Sequence, residues 1–182
     1  MQLKIIIAGL LTGLITFGPL VTMADEKSTI RFILTGDLYE LSANNGRGGY
    51  AKLASVAKIY KKKTKSVIHS FLVHAGDAYS PSLLSAMDKG KSAVVMLNAV
   101  GVDYMVLGNH EWDFGPEIAR KRIWESNFPV LASNAIDIDG LPIDGTVRTA
   151  MVQVGPFRVG IMGLITPKTK VLASPKSDTF LP

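Results

Sequence analysis

The sequence predicts an α/β domain built on a mostly parallel sheet that is covered by helices. Three apolar runs, residues 30–35, 67–74 and 104–107, each end in a glycine that is followed by an Asp or an Asn. Segments with apolar residues at helical spacing lie between these runs, as expected for strands joined by crossover helices. This alternation of strand and helix continues to Asn134 and indicates parallel pairing.

The individual elements follow from the same patterns. Strands are predicted at residues 30–35, 67–74, 104–107 and 128–132, and helices at residues 50–63, 82–89, 92–100 and 116–127. Beyond Asp139 the pattern changes, and two strand-like runs, residues 147–154 and 157–164, flank Gly155-Pro156. A glycine and a proline between two alternating runs predict an antiparallel hairpin with a tight turn.

Residues 1–24 have the composition of a secretory signal peptide. Lys4 precedes an apolar stretch at residues 5–17, and the segment closes on a small-x-Ala pattern. An uncleaved anchor is the alternative, but Pro19 interrupts a stretch that is already short for a membrane span. We therefore predict an exported protein, periplasmic or secreted, with its folded domain at residues 25–182 and no stable membrane association after cleavage.

The formal charge of +5 is mild, and much of the excess comes from lysines between residues 58 and 65. Lysines near a helix end favour a solvated face that complements the helix dipole, and no aromatic residues alternate with them as on a nucleic-acid-binding surface. We therefore expect no nucleic acid partner. The chain contains no cysteine, so any metal ion must be held by oxygen and imidazole ligands.

Polar side chains follow three of the predicted strands. Asp37 and Asp77 come directly after Gly36 and Gly76, and Asn109 and His110 follow the third strand. Because ligands collect at the carboxyl ends of strands in open α/β sheets, these groups are expected to meet at one edge. Asp113 lies three residues beyond His110, within reach of its ring in a tight turn. A pair of divalent ions, which is one device for hydrolysing phosphoesters, requires such a set of donors.

These motifs resemble a known family. Gly36-Asp37-x-Tyr39, Gly76-Asp77 and Gly108-Asn109-His110-Glu111 are similar to the first three motifs of the calcineurin-like metallophosphoesterases, in the branch of 5′-nucleotidases and 2′,3′-cyclic-nucleotide phosphodiesterases. The resemblance runs from about residue 30 to residue 166. It implies an α/β/β/α sandwich and hydrolysis of nucleotides or related phosphomonoesters by two-metal activation of water.

The resemblance also implies roles for individual residues. Asp37 would bind the first metal ion, Asp77 would bridge both, and Asn109 would bind the second. His110 would assist catalysis near the leaving oxygen and be held by Asp113, while Asn134 would lie near the site. The two divalent ions could be Mn, Zn, Mg or Fe, and the partner would be a small phosphoester, in particular a nucleotide.

Two departures from the family pattern qualify these implications. Tyr39 stands where the family has a histidine, and a phenol is a poor metal ligand unless it is deprotonated. The later Gly-His and Gly-His-x-His motifs do not occur, since the only histidines are His69, His74 and His110. The sequence thus resembles the amino-terminal part of a catalytic domain, with an incomplete second sheet through which chains could self-associate. The alternative function is a catalytically silent remnant or a metal-binding interaction module.

The remaining candidates have simpler interpretations. His69 and His74 are read as core or strand-end residues, although His74 could face the site. Trp112 and Phe114 are predicted to pack around the turn rather than to stack on substrate. Ser80 and Ser82 suggest a helix cap and not a serine hydrolase, since no Gly-x-Ser-x-Gly is present. Arg47 and Lys52 could meet a phosphate or remain solvated.

Overall fold

The computed structural model describes residues 28–173, so the predicted signal peptide lies outside the described residues. The main sheet has five strands in the order β1-β2-β3-β4-β5, and every neighbouring pair is parallel. A separate two-stranded antiparallel sheet is formed by β6 and β7. The predicted α/β class with a mostly parallel first sheet and a small second sheet is confirmed.

The strands are β1 (Thr29–Thr35), β2 (Val67–His74), β3 (Tyr104–Val106), β4 (Val130–Leu131), β5 (Thr146–Val147), β6 (Thr149–Val154) and β7 (Phe157–Met162). The helices are α1 (Tyr50–Tyr60), α2 (Leu83–Asp88), α3 (Lys91–Val100), α4 (Pro116–Glu125) and α5 (Thr169–Leu172), with a 3-10 turn at His110–Trp112. The predicted elements are all present. The short strand β5 was not predicted as a separate element, and α1 ends three residues before the predicted end.

The early end of α1 has a local cause. The backbone N–H of Thr64 donates to the carbonyl of Val67, and the Thr64 hydroxyl accepts from the N–H of Val67. This turn leads directly into β2 and requires the chain to leave the helix first. Lys61 marks the helix end, where its ammonium binds Asp103 at 2.8 Å and the carbonyl of Gly101.

The strand β2 divides the core between two layers, because its successive side chains point to opposite faces of the sheet. Leu72 belongs to the main cluster, which contains Val94, Leu97 and Ile123 from the helices. Phe71 and Val73 face the other way and form a second cluster with the β6–β7 hairpin. The helices therefore cover one face and the hairpin covers part of the other.

The hairpin side of the main sheet carries exposed apolar side chains. Phe32 stacks on Phe71 with ring centroids 5.2 Å apart, yet half of its surface remains exposed. Leu34 on the same strand, and Met151 and Met162 on the hairpin, are also mostly exposed.

Among the helices of residues 28–173, none is long and apolar enough to cross a membrane.

Candidate functional site

The ends of β1, β2 and β3 lie together at one edge of the parallel sheet. The N–H of Asp37 donates to the carbonyl of Gly76 at 3.3 Å, which joins the first loop to the second. Asp37 and Asp77 both have left-handed backbone conformations, with φ of 51° and 58°. Such φ values are uncommon for residues other than glycine, so each Asp sits at a sharp turn at its strand end.

The glycines before these polar residues allow the loops to touch. A Cβ atom on Gly76 would lie 2.6 Å from the backbone nitrogen of Gly108, and a Cβ atom on Gly108 would lie 2.2 Å from Oδ1 of Asp77. The same Oδ1 atom accepts a hydrogen bond from the N–H of His110 at 2.9 Å. The Asp77 carboxylate therefore packs directly against the loop that carries Asn109 and His110.

Glu111 is the residue that fixes these two loops relative to one another. Its side chain is buried, and its Oε2 atom accepts from the N–H groups of Asp77 at 2.8 Å and Gly108 at 2.6 Å. Its Oε1 atom accepts from the N–H groups of Ala78 at 2.6 Å and Tyr79 at 3.2 Å. Burial raises the pKa of Glu111 above its ordinary value, while the backbone donors oppose that rise. The sequence pattern predicted no role for Glu111.

His110 and Asp113 form a hydrogen-bonded pair beside Asp77. Nδ1 of His110 lies 2.7 Å from Oδ2 of Asp113, so the predicted contact between the two side chains is present. The Ser80 hydroxyl donates to the same oxygen at 2.7 Å. Partial burial disfavours the imidazolium, but the hydrogen bond and charge of Asp113, with the charges of Asp77 and Glu111, raise the net pKa of His110. The catalytic roles of His110 and Asp113 stay predictions.

Tyr39 donates its hydroxyl hydrogen to Oδ1 of Asp37 at 2.7 Å. Burial, this hydrogen bond and the charges of Asp77, Asp37 and Glu111 raise its pKa well above the ordinary value. The phenol is therefore a neutral hydrogen-bond donor to Asp37 in this structure. Its ring lies edge-on to His110, with centroids 6.1 Å apart, and so connects the first motif to the third.

The donor chemistry at this edge fits a divalent cation. Asp37 and Asp77 place carboxylates there, and the charges that raise the pKa of Tyr39 are all negative. Asn109 adds an amide between Gly108 and His110, which are held by Glu111 and Asp77. Within residues 28–173, however, no three His, Asp or Glu side chains form a group that could hold a metal ion. The described residues thus contribute to a site without completing a full ligand set of those types.

The other residues singled out in the sequence are buried or hydrogen-bonded within the fold. His74 is fully buried, with Nδ1 accepting from the N–H of Gly76 at 3.2 Å, as the core interpretation predicts. Trp112 is also fully buried, and Ser82 caps α2 through Ser85. The amide of Asn134 is bonded on both sides to the backbone of Ile165, so it joins the end of β4 to the segment after β7.

Comparison with known proteins gives consistent results. The sequence pattern of the calcineurin-like phosphoesterases matches residues 30–162. A probable 5′-nucleotidase of Treponema pallidum is 32% identical over 128 residues, covering 70% of this chain and 21% of that protein. The 5′-nucleotidase of Bos taurus is 34% identical over 146 residues, covering 76% of this chain and 24% of that protein. The chain therefore spans about a quarter of the length of these relatives.

Solved structures resemble the chain in the same way. The NAD nucleotidase of Haemophilus influenzae is 27% identical with a TM-score of 0.72, covering 83% of this chain and 32% of that chain. A 5′-nucleotidase precursor of Thermus thermophilus is similar in fold, with 24% identity, a TM-score of 0.69 and coverage of 83% of this chain and 31% of that chain. The fold, the three loops at one sheet edge and the sequence match agree: this chain belongs to the calcineurin-like phosphoesterase family.

Proposed function

We propose that this chain provides part of the active site of a metal-dependent phosphoester hydrolase that acts on nucleotides or related phosphomonoesters. The observation that carries the proposal is the hydrogen bond from the His110 loop to Asp77, which brings an imidazole next to a carboxylate suited to a cation. The 5′-nucleotidase relatives supply the substrate class. Members of the family generally use divalent ions.

His110 is suited to handle the proton on the leaving oxygen. Because a carboxylate can only accept, the contact with Asp113 places a proton on Nδ1 and leaves Nε2 to carry the proton that is transferred. The hydrogen bond to Asp113 and its negative charge favour the imidazolium that such a donor requires. Asp113 acts as a positioning residue, which orients the ring and stabilises its charge, and Ser80 holds Asp113 in turn.

Asp37, Asp77 and Asn109 are the residues that would hold the metal ions in this proposal, and Asp77 would be shared between two of them. Bound divalent ions would activate water and offset the negative charge of the phosphate. Tyr39 acts on Asp37 as a hydrogen-bond donor, which orients one carboxylate oxygen.

The test is phosphate release from AMP, 2′,3′-cyclic AMP and an aryl phosphate in the presence of Mn²⁺, Zn²⁺ or Mg²⁺. We expect His110→Ala to lower the rate by about a hundredfold or more, the typical contribution of a general acid. His69→Ala is the matched control, because His69 packs against Phe71 on β2 and should leave the rate unchanged. Equal rates in wild type and His110→Ala would remove His110 from the mechanism.

A second candidate function is a catalytically silent remnant or a metal-binding interaction module. It is favoured by one observation, namely that the described residues contain no group of three His, Asp or Glu ligands. This candidate predicts weak binding of at most one divalent ion and no phosphate release. Two tightly held ions per chain, counted by native mass spectrometry, would contradict it.

A further inference from the structure

A cleft of about 660 Å³ opens beside the first motif, between the end of β1 and the loop that leads into α1. The cleft is lined by Asp37 and Tyr39 of the first motif and by Asn44, Asn45 and Arg47 of the loop. This volume lies within the range of clefts that hold small ligands. The cleft therefore connects one proposed metal ligand with a loop to which no function has been assigned.

The loop presents Arg47 from a fixed turn. The N–H of Asn44 donates to the carbonyl of Arg47 at 2.9 Å, and the N–H of Arg47 donates back at 2.8 Å. The two residues between them, Asn45 and Gly46, have φ of 47° and 75°, so the turn is a tight hairpin with positive φ at both central positions. Lys52 ties the turn to α1 by donating to the carbonyl of Gly46. The backbone that carries Arg47 is thus restrained before any ligand binds.

The lining of the cleft carries charges of both signs. Of the described residues that line the cleft, Arg47 alone is cationic, whereas Asp37 and Glu40 are acidic. A guanidinium binds phosphate oxygens through paired N–H donors, which gives both charge and geometry. Lys52 carries the same charge in the first turn of α1, but it is not part of the lining and its ammonium binds the carbonyl of Gly46.

We infer that this cleft is a phosphate-binding subsite in which Arg47 binds a phosphate group of the substrate. The inference rests on the proposed function, because it uses the adjacent carboxylate edge as the place where a phosphoester is processed. The ligand class is a phosphorylated small molecule, with the phosphate near Arg47 and the remainder of the molecule in the open part of the cleft.

Binding of inorganic phosphate tests the inference without requiring turnover. Affinity is measured by isothermal titration calorimetry at saturating Mg²⁺ on wild type, Arg47→Gln, Arg47→Lys and Lys58→Gln. Loss of a charge-assisted pair of hydrogen bonds should weaken binding by about tenfold to a hundredfold in Arg47→Gln. Arg47→Lys should lie between wild type and Arg47→Gln, and Lys58→Gln should stay within about twofold of wild type, because Lys58 is an exposed residue of α1 that does not line the cleft.

Three results would overturn the inference: no phosphate binding by wild type, equal affinity in wild type and Arg47→Gln, or an equal loss in Lys58→Gln. The separate phosphate-release assay distinguishes this failure from failure of the proposed function. If His110→Ala abolishes phosphate release while Arg47→Gln keeps wild-type phosphate affinity, the inference is wrong and the proposed function stands. If phosphate binding depends on Arg47 while no variant releases phosphate, the inference stands and the hydrolase proposal fails.

Discussion

Replacing Glu111 by Gln should destabilise the domain and loosen the candidate site at the same time. The Gln side chain keeps one oxygen but replaces the other by an NH₂ group, which cannot accept a hydrogen bond. Two of the four backbone N–H groups that now bind Glu111 would then face a donor instead of an acceptor. Since the side chain is buried, water cannot replace the lost acceptor.

The expected loss of folding stability follows from the number of backbone N–H groups that are left without an acceptor. Leaving a buried donor unsatisfied costs about 1–3 kcal/mol, so two such donors correspond to about 2–6 kcal/mol. We expect the lower part of that range, about 2–4 kcal/mol, because the Gln amide can reorient and burial already opposes the charge of Glu111. A domain of this size has a total stability of about 5–15 kcal/mol, so the loss should be readily measurable.

The assay is urea unfolding followed by circular dichroism, combined with amide hydrogen exchange at Asp77, Ala78, Tyr79 and Gly108. In Glu111→Gln the urea midpoint should fall, and protection should be lost first at two of these four amides. Glu117→Gln is the matched control, because Glu117 is an exposed residue in the first turn of α4 and should change stability by less than about 1 kcal/mol. An unchanged midpoint and unchanged protection in Glu111→Gln would refute this account of the two loops.

Three further predictions concern stability and association. Burial, partly opposed by the charge of Asp37, lowers the pKa of His74 from 6.5 to about 4. The free energy of unfolding should therefore fall by about 3 kcal/mol as the pH decreases from about 6.5 to 4. In urea unfolding measured at each pH, His74→Asn should remove that pH-dependent loss. Gly76→Ala should cost about 3 kcal/mol or more in the same assay at neutral pH, because its Cβ would collide with the Gly108 backbone at a φ of 98°. The chain should self-associate in sedimentation velocity through its exposed apolar hairpin side, and Leu34→Glu should shift it towards monomer.

If the free energy of unfolding of His74→Asn still falls between pH 6.5 and 4, a group other than His74 causes the pH dependence. Gly140→Ala also places a side chain at positive φ but meets nothing within 4 Å, so an equal cost in both glycine variants would exclude the collision as the cause. Wild-type chain that sediments as a monomer at all concentrations would contradict the association prediction.

The fold was predictable where the sequence pattern is local. The eight residues of β2 form one continuous run, and their predicted bounds match the structure. The hairpin was predicted from Gly155-Pro156, although its first strand begins at Thr149 and Val147 belongs to the main sheet. β5 was missed because a two-residue strand has no periodicity and depends on pairing with β4.

The site was predictable in its position but not in its supporting contacts. The glycine–polar pairs after each strand predicted that Asp77 and the His110 loop would meet. The role of Glu111 could not be predicted, because its carboxylate oxygens accept hydrogen bonds from backbone N–H groups more than thirty residues away in the sequence. The sequence signal was the glycine next to each loop, which indicates close backbone approach. Ser80 was likewise predicted to cap a helix, whereas its hydroxyl donates to Asp113 and so joins the loop after β2 to the loop after β3.

Counting metal ions on the folded chain shows whether the strand ends form a cation site. The chain is loaded with Mn²⁺ or Zn²⁺, dialysed and analysed by native mass spectrometry, with Asp77→Asn and the exposed control Asp139→Asn prepared in parallel. We expect at least one ion per wild-type chain, which is retained in Asp139→Asn and lost in Asp77→Asn. Metal-free wild type, or an equal metal content in all three proteins, would contradict this expectation.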